Sequence, residues 1–286
     1  MSTDEIRVMF LNSWGESHED ILERYSQQTP NCSGIWENVK GVSNINEADF
    51  YIMLQNETSE YREIPESKKI YLQREPHYIQ SRSWLNNPKD NQFTYDRCYH
   101  AATWWVNKTF DELVQLQYPD KQQLASTIVS AKSSTRGHKQ RLNFIYNYIK
   151  QSSDLDVYGS NHPQINNCIK GHIKGKYDGL IDYKFSLACE NGNINNYFTE
   201  KIQDCFLTWT IPIYFGCPNI DSFFPGDSFY TLDITKSGCG SRLKEILNIP
   251  IEQKNIDALK EARELVLYKY NIWPTVKRII ETGRVI

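Results

Sequence analysis

YKFSLACENGNINNYFTEKIQDCFLTWTIPIYFG (183–216) reads as a strand, a helix and a second strand. YKFSLACE (183–190) and TIPIYFG (210–216) are apolar runs of strand length, and between them Thr199-Glu200-Lys201 opens a short amphipathic segment. Two buried strands joined by a helix make one crossover unit of a parallel sheet. Pro212 lacks the N–H that a central strand uses, so it is placed early in the second strand. A helix N-terminus carries unpaired N–H groups and about half a positive charge, which suits a phosphate. Lys201 in the first turn would add a full charge there, and the Glu200 carboxylate could accept from two vicinal ribose hydroxyls. From this segment alone, an ordinary surface helix with a first-turn acid is the commoner reading.

Outward from this unit the alternation repeats. IRVMFL (6–11), ADFYIMLQ (48–55) and KKIYLQ (68–73) read as strands, and HEDILERYSQ (18–27) has helical spacing through Ile21, Leu22 and Tyr25. The pattern blurs from Pro76 to Thr109 and resumes after YPDKQQ (118–123), which reads as a linker. STIVSA (126–131) and LDVYG (155–159) are then strands, RLNFIYNYIK (141–150) a helix, and 252–271 and 274–283 form a helical tail. The expected fold is α/β, with a Rossmann-like domain over 1–122 and a second over 123–286 that includes the tail. In such sheets ligands bind outside the carboxyl ends of the strands, so the two domains are expected to face a cleft.

With 286 residues, a net charge of −3 and no Lys/Arg-rich block, the chain offers neither a nucleic-acid surface nor a polybasic membrane patch. Seven scattered cysteines without a CxxC pair read as reduced thiols. There is no signal-peptide pattern and no apolar run of the roughly 18–20 residues that span a bilayer, so a cytoplasmic protein without an integral membrane segment is expected. The six histidines show no HExxH spacing, no DxD-like motif is found in the strand-end loops and no Walker-type motif is present, so no metal ligands are assigned. Gly238-Cys239-Gly240-Ser241 lacks the strand and helix flanks of a nucleophile elbow. Trp104 and Trp105 are read as buried rather than as an acceptor groove.

The order Tyr183-Lys184-Phe185, Leu187, Glu190-Asn191, Tyr197, Thr199-Glu200-Lys201 resembles the signature of the α-1,3/α-1,4-fucosyltransferases, glycosyltransferase family 10. The likeness runs on through IPIYFG (211–216) and Phe223-Phe224-Pro225, Ser228-Phe229 to Asp233. Weaker likeness reaches back to IVSAKSS (128–134), to Arg141 and Phe144, and to DVYG (156–159), and it is faint over the first 120 residues. The resemblance implies a GT-B fold and an inverting transfer of fucose from GDP-fucose to a glycan hydroxyl. By position, Glu200 would hold the ribose, Lys201 and Arg141 would neutralise the diphosphate, and Asn191 and Tyr197 would line the donor pocket. No cofactor would be required, and a divalent metal would be at most stimulatory.

Cys189, Gly192 and Ala131 depart from the family's pattern, so a same-fold transferase using another nucleotide sugar stays open, as does a catalytically silent glycan- or nucleotide-binding module. Inverting transfer needs a carboxylate to take the acceptor's proton. Glu75, in YLQREPHYI (71–79), is similar to the segment that bears the family's base and follows a strand, though pairing with Arg74 or solvent would explain it equally. Glu57 and Glu63 are the reserve candidates.

Overall fold

The structure is a computed structural model that describes residues 4–12, 15–54, 61–74, 88–94 and 103–284. The chain divides into two compact units: Met1–Thr103 with Lys108–Gln115 and Leu267–Ile286, and Trp104–Asn107 with Leu116–Val266.

The first unit contains β1 (Ile6–Asn12), α1 (His18–Ser26), β2 (Ile35–Trp36), β3 (Val39–Gly41), β4 (Phe50–Leu54), β5 (Lys69–Leu72), β6 (Gln92–Phe93) and α2 (Phe110–Gln115). Its strands lie in the order β2-β3-β1-β4-β5-β6, parallel except for β2 against β3. The continuous apolar run Val8–Leu11 is buried throughout, as a strand covered on both faces requires. Ser17 caps α1 by accepting the Asp20 N–H at 3.1 Å, and Ile21 and Tyr25 turn inward.

The second unit holds β7 (Gln123–Ile128), α3 (Arg136–Ile149), β8 (Asp156–Tyr158), β9 (Ile169–Gly171), β10 (Tyr183–Cys189), α4 (Glu200–Leu207), β11 (Ile211–Phe215), β12 (Tyr230–Thr231), α5 (Cys239–Leu247) and α6 (Gln253–Glu264). All its strands are parallel, in the order β12-β11-β10-β7-β8-β9. The expected strand–helix–strand unit is present, with β10 paired to β11 from Phe185↔Ile211 to Cys189↔Phe215. Pro212 is accommodated because β11 pairs with β12 only from Ile213 onward.

Four expectations change. The segment read as a linker is anchored at Lys121, which is buried and donates to the carbonyls of Ile181 (2.6 Å) and Thr208 (2.8 Å) and to Thr210 Oγ1 (3.1 Å). Burial pulls this ammonium down to about 7. The last helix, α7 (Ile272–Thr282), belongs to the first unit rather than to the domain expected over 123–286. Its apolar face covers α1 and β1: Trp273 is fully buried, donates from Nε1 to the Tyr25 carbonyl at 2.8 Å and meets the Phe10 ring edge-on at 5.1 Å. Finally, Gly238, with φ at +79°, does open a helix, α5, although β12 ends well before it. Trp104 is buried as expected, whereas Trp105 is 39% exposed.

Candidate active site

β7 and β10 are neighbours in the second sheet, and the loops leaving their carboxyl ends lead into α3 and α4. This is the end of an open parallel sheet where ligands bind. Thr135 caps α3 by accepting the His138 N–H at 3.2 Å. Gly137 in the first turn of α3 lets the loop after β10 lie directly on the helix, because a Cβ there would stand 2.1 Å from the Asn191 carbonyl oxygen. Overpacking of this kind typically destabilises by about 1–3 kcal/mol. Gly137→Ala is therefore expected to lower stability by about that much in urea unfolding, and an unchanged midpoint would show that the loop yields freely.

The start of α4 is fixed by the protein itself. Glu190, at the end of β10, has a fully buried carboxylate that accepts the Thr199 N–H at 2.8 Å and the Thr199 hydroxyl at 2.7 Å. Thr199 Oγ1 in turn accepts the Lys201 N–H at 3.4 Å, capping the helix. Tyr214 and Gly216 close in behind: the Tyr214 hydroxyl lies 3.4 Å from Glu190, and a Cβ at Gly216 would stand 2.4 Å from Glu190 Cγ. A pyrophosphate is thus not needed to explain why the helix begins at Thr199.

Three cations and three carboxylates meet in front of this latch. Lys201 Nζ donates to Thr199 Oγ1 at 3.0 Å and Glu200 Oε1 at 3.1 Å, and pairs with Glu190 Oε2 at 3.4 Å. Burial works against its charge, but Glu200 and Glu190 outweigh that and hold the ammonium above the ordinary lysine range. Lys176 pairs with Asp204 at 2.9 Å and with Glu200 at 3.6 Å. Its charge is likewise opposed by burial but held above the ordinary value by Asp204 and then Glu200. Arg141, on α3, is 6% exposed and donates from Nη1 to Asn191 Oδ1 at 3.0 Å, while its buried Nε has no hydrogen-bond partner. Burial lowers its guanidinium, countered by Cys189 and Glu190, yet an arginine remains charged at neutral pH. Burial also pushes the Cys189 thiol up to about 12, so it is an inert, protonated neighbour. Behind Arg141, Lys176 and Lys201 lies a cavity of about 30 Å³, room for a water and far too small for a nucleotide.

Of the residues singled out in the sequence, Arg141, Asn191, Glu200 and Lys201 come together here. Tyr197 is fully buried in the same loop, near enough to Arg141 to act on its charge. Glu75 and Glu57 fall outside the described residues, and Glu63 is exposed in the first unit. The sequence reading missed Lys176, Asp204 and the latch role of Glu190. Asp204 stands one turn after Glu200 and could have been found by helical spacing, whereas nothing in HIKGKYDG (172–179) marks Lys176. Among the described residues no group of three His, Cys, Asp or Glu side chains is placed to hold a metal ion, and no helix is long and apolar enough to cross a membrane.

Residues 118–245 match the C-terminal region of glycosyltransferase family 10 (fucosyltransferase). The match covers less than half of the chain. Among curated family relatives, alpha-(1,3)-fucosyltransferase FucT of Helicobacter pylori is 40% identical over 65 residues, which cover 23% of this chain and 14% of that protein. A fucosyltransferase-like protein of Arabidopsis thaliana is 30% identical over 121 residues, covering 42% of this chain and 22% of that protein. The alignments thus span less than a quarter of these relatives' lengths. A crystal structure of an alpha1,3-fucosyltransferase with GDP superposes with a TM-score of 0.50 at 16% identity, over 99% of this chain and 92% of that one. That likeness concerns the fold, which is GT-B: two α/β units, each on its own mainly parallel sheet. The family 10 match lies wholly within the second unit, where the charged cluster sits.

Proposed function

We propose that this protein is an inverting glycosyltransferase of family 10 that moves fucose from GDP-fucose to a hydroxyl of a glycan acceptor. The observation that carries the reading is Arg141, a buried guanidinium with an unsatisfied Nε, standing near Lys201 at the carboxyl end of the sheet. A buried polar orphan beside a second cation calls for an anion with several oxygens, and a diphosphate is such a group. The family 10 match and the names of the relatives support fucose as the sugar.

In this reading Arg141 and Lys201 take the diphosphate, Glu200 takes the ribose hydroxyls, and Asn191 and Tyr197 line the donor pocket. An ammonium has three protons, and those of Lys201 are matched by Thr199, Glu200 and Glu190. The Glu200 side chain is 22% exposed and that of Glu190 is fully buried, so Glu200 is the partner able to leave. Its turn toward the ribose releases one Lys201 proton for a phosphate oxygen. The acceptor oxygen then attacks the anomeric carbon from the face opposite the diphosphate. The bond from that carbon to the diphosphate oxygen breaks, its electron pair stays on GDP, and the acceptor's proton passes to a carboxylate, the role assigned to Glu75. We place the activity in the cytoplasm, in keeping with free thiols at Cys168, Cys189, Cys205 and Cys217.

The test is GDP release and product analysis with GDP-fucose, and with other GDP- and UDP-sugars, over an oligosaccharide panel. Transfer from GDP-fucose is expected. Faster turnover of another donor would reassign the sugar, and GDP binding without transfer to any acceptor would favour a binding module. Because two protein cations and a helix N-terminus stabilise the departing diphosphate, activity is expected to survive EDTA at least in part. Complete loss in EDTA, restored by Mn²⁺ or Mg²⁺, would establish a required metal.

A further inference from the structure

We propose that Lys176 and Asp204 are positioning residues for Glu200: Asp204 fixes Lys176, and Lys176 holds the Glu200 carboxylate at the ribose while Lys201 turns to the diphosphate. The proposal rests on the reading of Glu200 as the ribose group.

Lys176 comes from a different part of the chain, the single turn Lys176–Gly179 between β9 and β10. Asp204 lies one turn after Glu200 on α4, so both carboxylates face the same way. The Asp204 side chain is 2% exposed and both its oxygens are taken, Oδ2 by Lys176 Nζ at 2.9 Å and Oδ1 by the Trp105 N–H at 2.9 Å. Held at both oxygens, this carboxylate cannot rotate. Buried as it is, it also requires its cation, because removing one partner of a buried pair leaves an uncompensated charge. Lys176 is therefore pinned at the Asp204 end while its ammonium still lies 3.6 Å from Glu200 Oε1.

Glu200 Oε1 is thus shared between two ammonium groups, with Lys201 at 3.1 Å. A diphosphate arriving beside Lys201 draws that proton away and repels the carboxylate at the same time. Glu200 is then held less firmly at the moment it has to accept from the ribose. Lys176 stays beside it: anchored by Asp204, it cannot follow the diphosphate, and it keeps Glu200 ionised and steadies it once it has turned to the ribose.

The experiment is calorimetric titration of GDP and of 2′,3′-dideoxy-GDP, which lacks the hydroxyls Glu200 would hold. Wild type is expected to prefer GDP by about tenfold or more, the usual worth of hydrogen bonds to a charged group. Lys176→Met should weaken GDP about tenfold and leave the dideoxy nucleotide within about twofold of wild type, collapsing the preference. Lys176→Arg, which keeps a cation on Asp204, should restore most of it. Since Lys176→Met leaves Asp204 buried and unpaired, the double variant Lys176→Met/Asp204→Asn provides a second route. Asparagine still accepts from Trp105 without the charge, and the same collapse is expected. Equal losses for both nucleotides, or none, would overturn the positioning role while leaving the donor reading intact. Wild type that binds both nucleotides equally would remove Glu200 from the ribose and this proposal with it. Wild type that binds no GDP would overturn the donor reading itself.

Discussion

Glu75→Gln is expected to lower turnover by about 10²–10⁴-fold while leaving GDP affinity nearly unchanged, the range that general-base catalysis supplies. Glutamine keeps the length and planarity of the side chain but cannot take a proton at neutral pH. In the proposed reading donor binding relies on the charged cluster of the second unit, so a change confined to proton acceptance should appear in kcat and not in nucleotide affinity. Steady-state GDP release and a GDP titration, run on the same preparation, separate the two. Glu63→Gln is the control: this side chain is exposed in the first unit, and its loss should leave most of the activity. Near-normal turnover in Glu75→Gln with a good acceptor would move the base elsewhere.

Arg141→Ala and Lys201→Ala are each expected to weaken GDP binding by about ten- to a hundredfold, since a charge-assisted phosphate contact is worth roughly 1.5–3 kcal/mol. The two variants should differ in stability. Lys201→Ala strips a cation from Glu190, whose carboxylate is fully buried, and so should also lower the unfolding midpoint. Arg141→Ala removes a guanidinium whose Nε makes no hydrogen bond, so its structural loss is mainly one of packing and of the contact to Asn191. Arg141→Lys should recover only part of the affinity, because an ammonium lacks the planar fork that grips two oxygens at once. Unchanged GDP affinity in both alanine variants would place the diphosphate away from this cluster.

Much of this site was legible before any coordinates. The apolar runs at 183–190 and 210–216, with a polar helix between them, dictate a crossover unit, because period and length leave few other ways to bury them. Glu200 and Lys201 could be singled out because they open the helix after a strand, and the resemblance to the fucosyltransferases added Arg141 and Asn191. The reading of the helix start was incomplete for a physical reason. Thr199 and Lys201 looked like one end of an anion site, yet the partner that fixes them is Glu190, nine residues earlier and buried by a fold-back that local spacing does not reveal.

What the sequence by itself determined is the alternation of strands and helices, the α/β class and the chemistry available on α4. What only the tertiary structure decided is which distant groups share that chemistry. Lys176 reaches Asp204 and Glu200 from a turn with no periodic signal, and Trp105 donates to Asp204 across 99 positions of chain. The amphipathic face of α7 specifies that it must be buried but not where, and the choice of the first unit rests on Trp273 fitting against Tyr25 and Phe10. Hydrophobic periodicity encodes which side of an element faces inward. Which core receives it depends on shape and on hydrogen-bond partners distant in the chain, and those exist only once the chain has closed on itself.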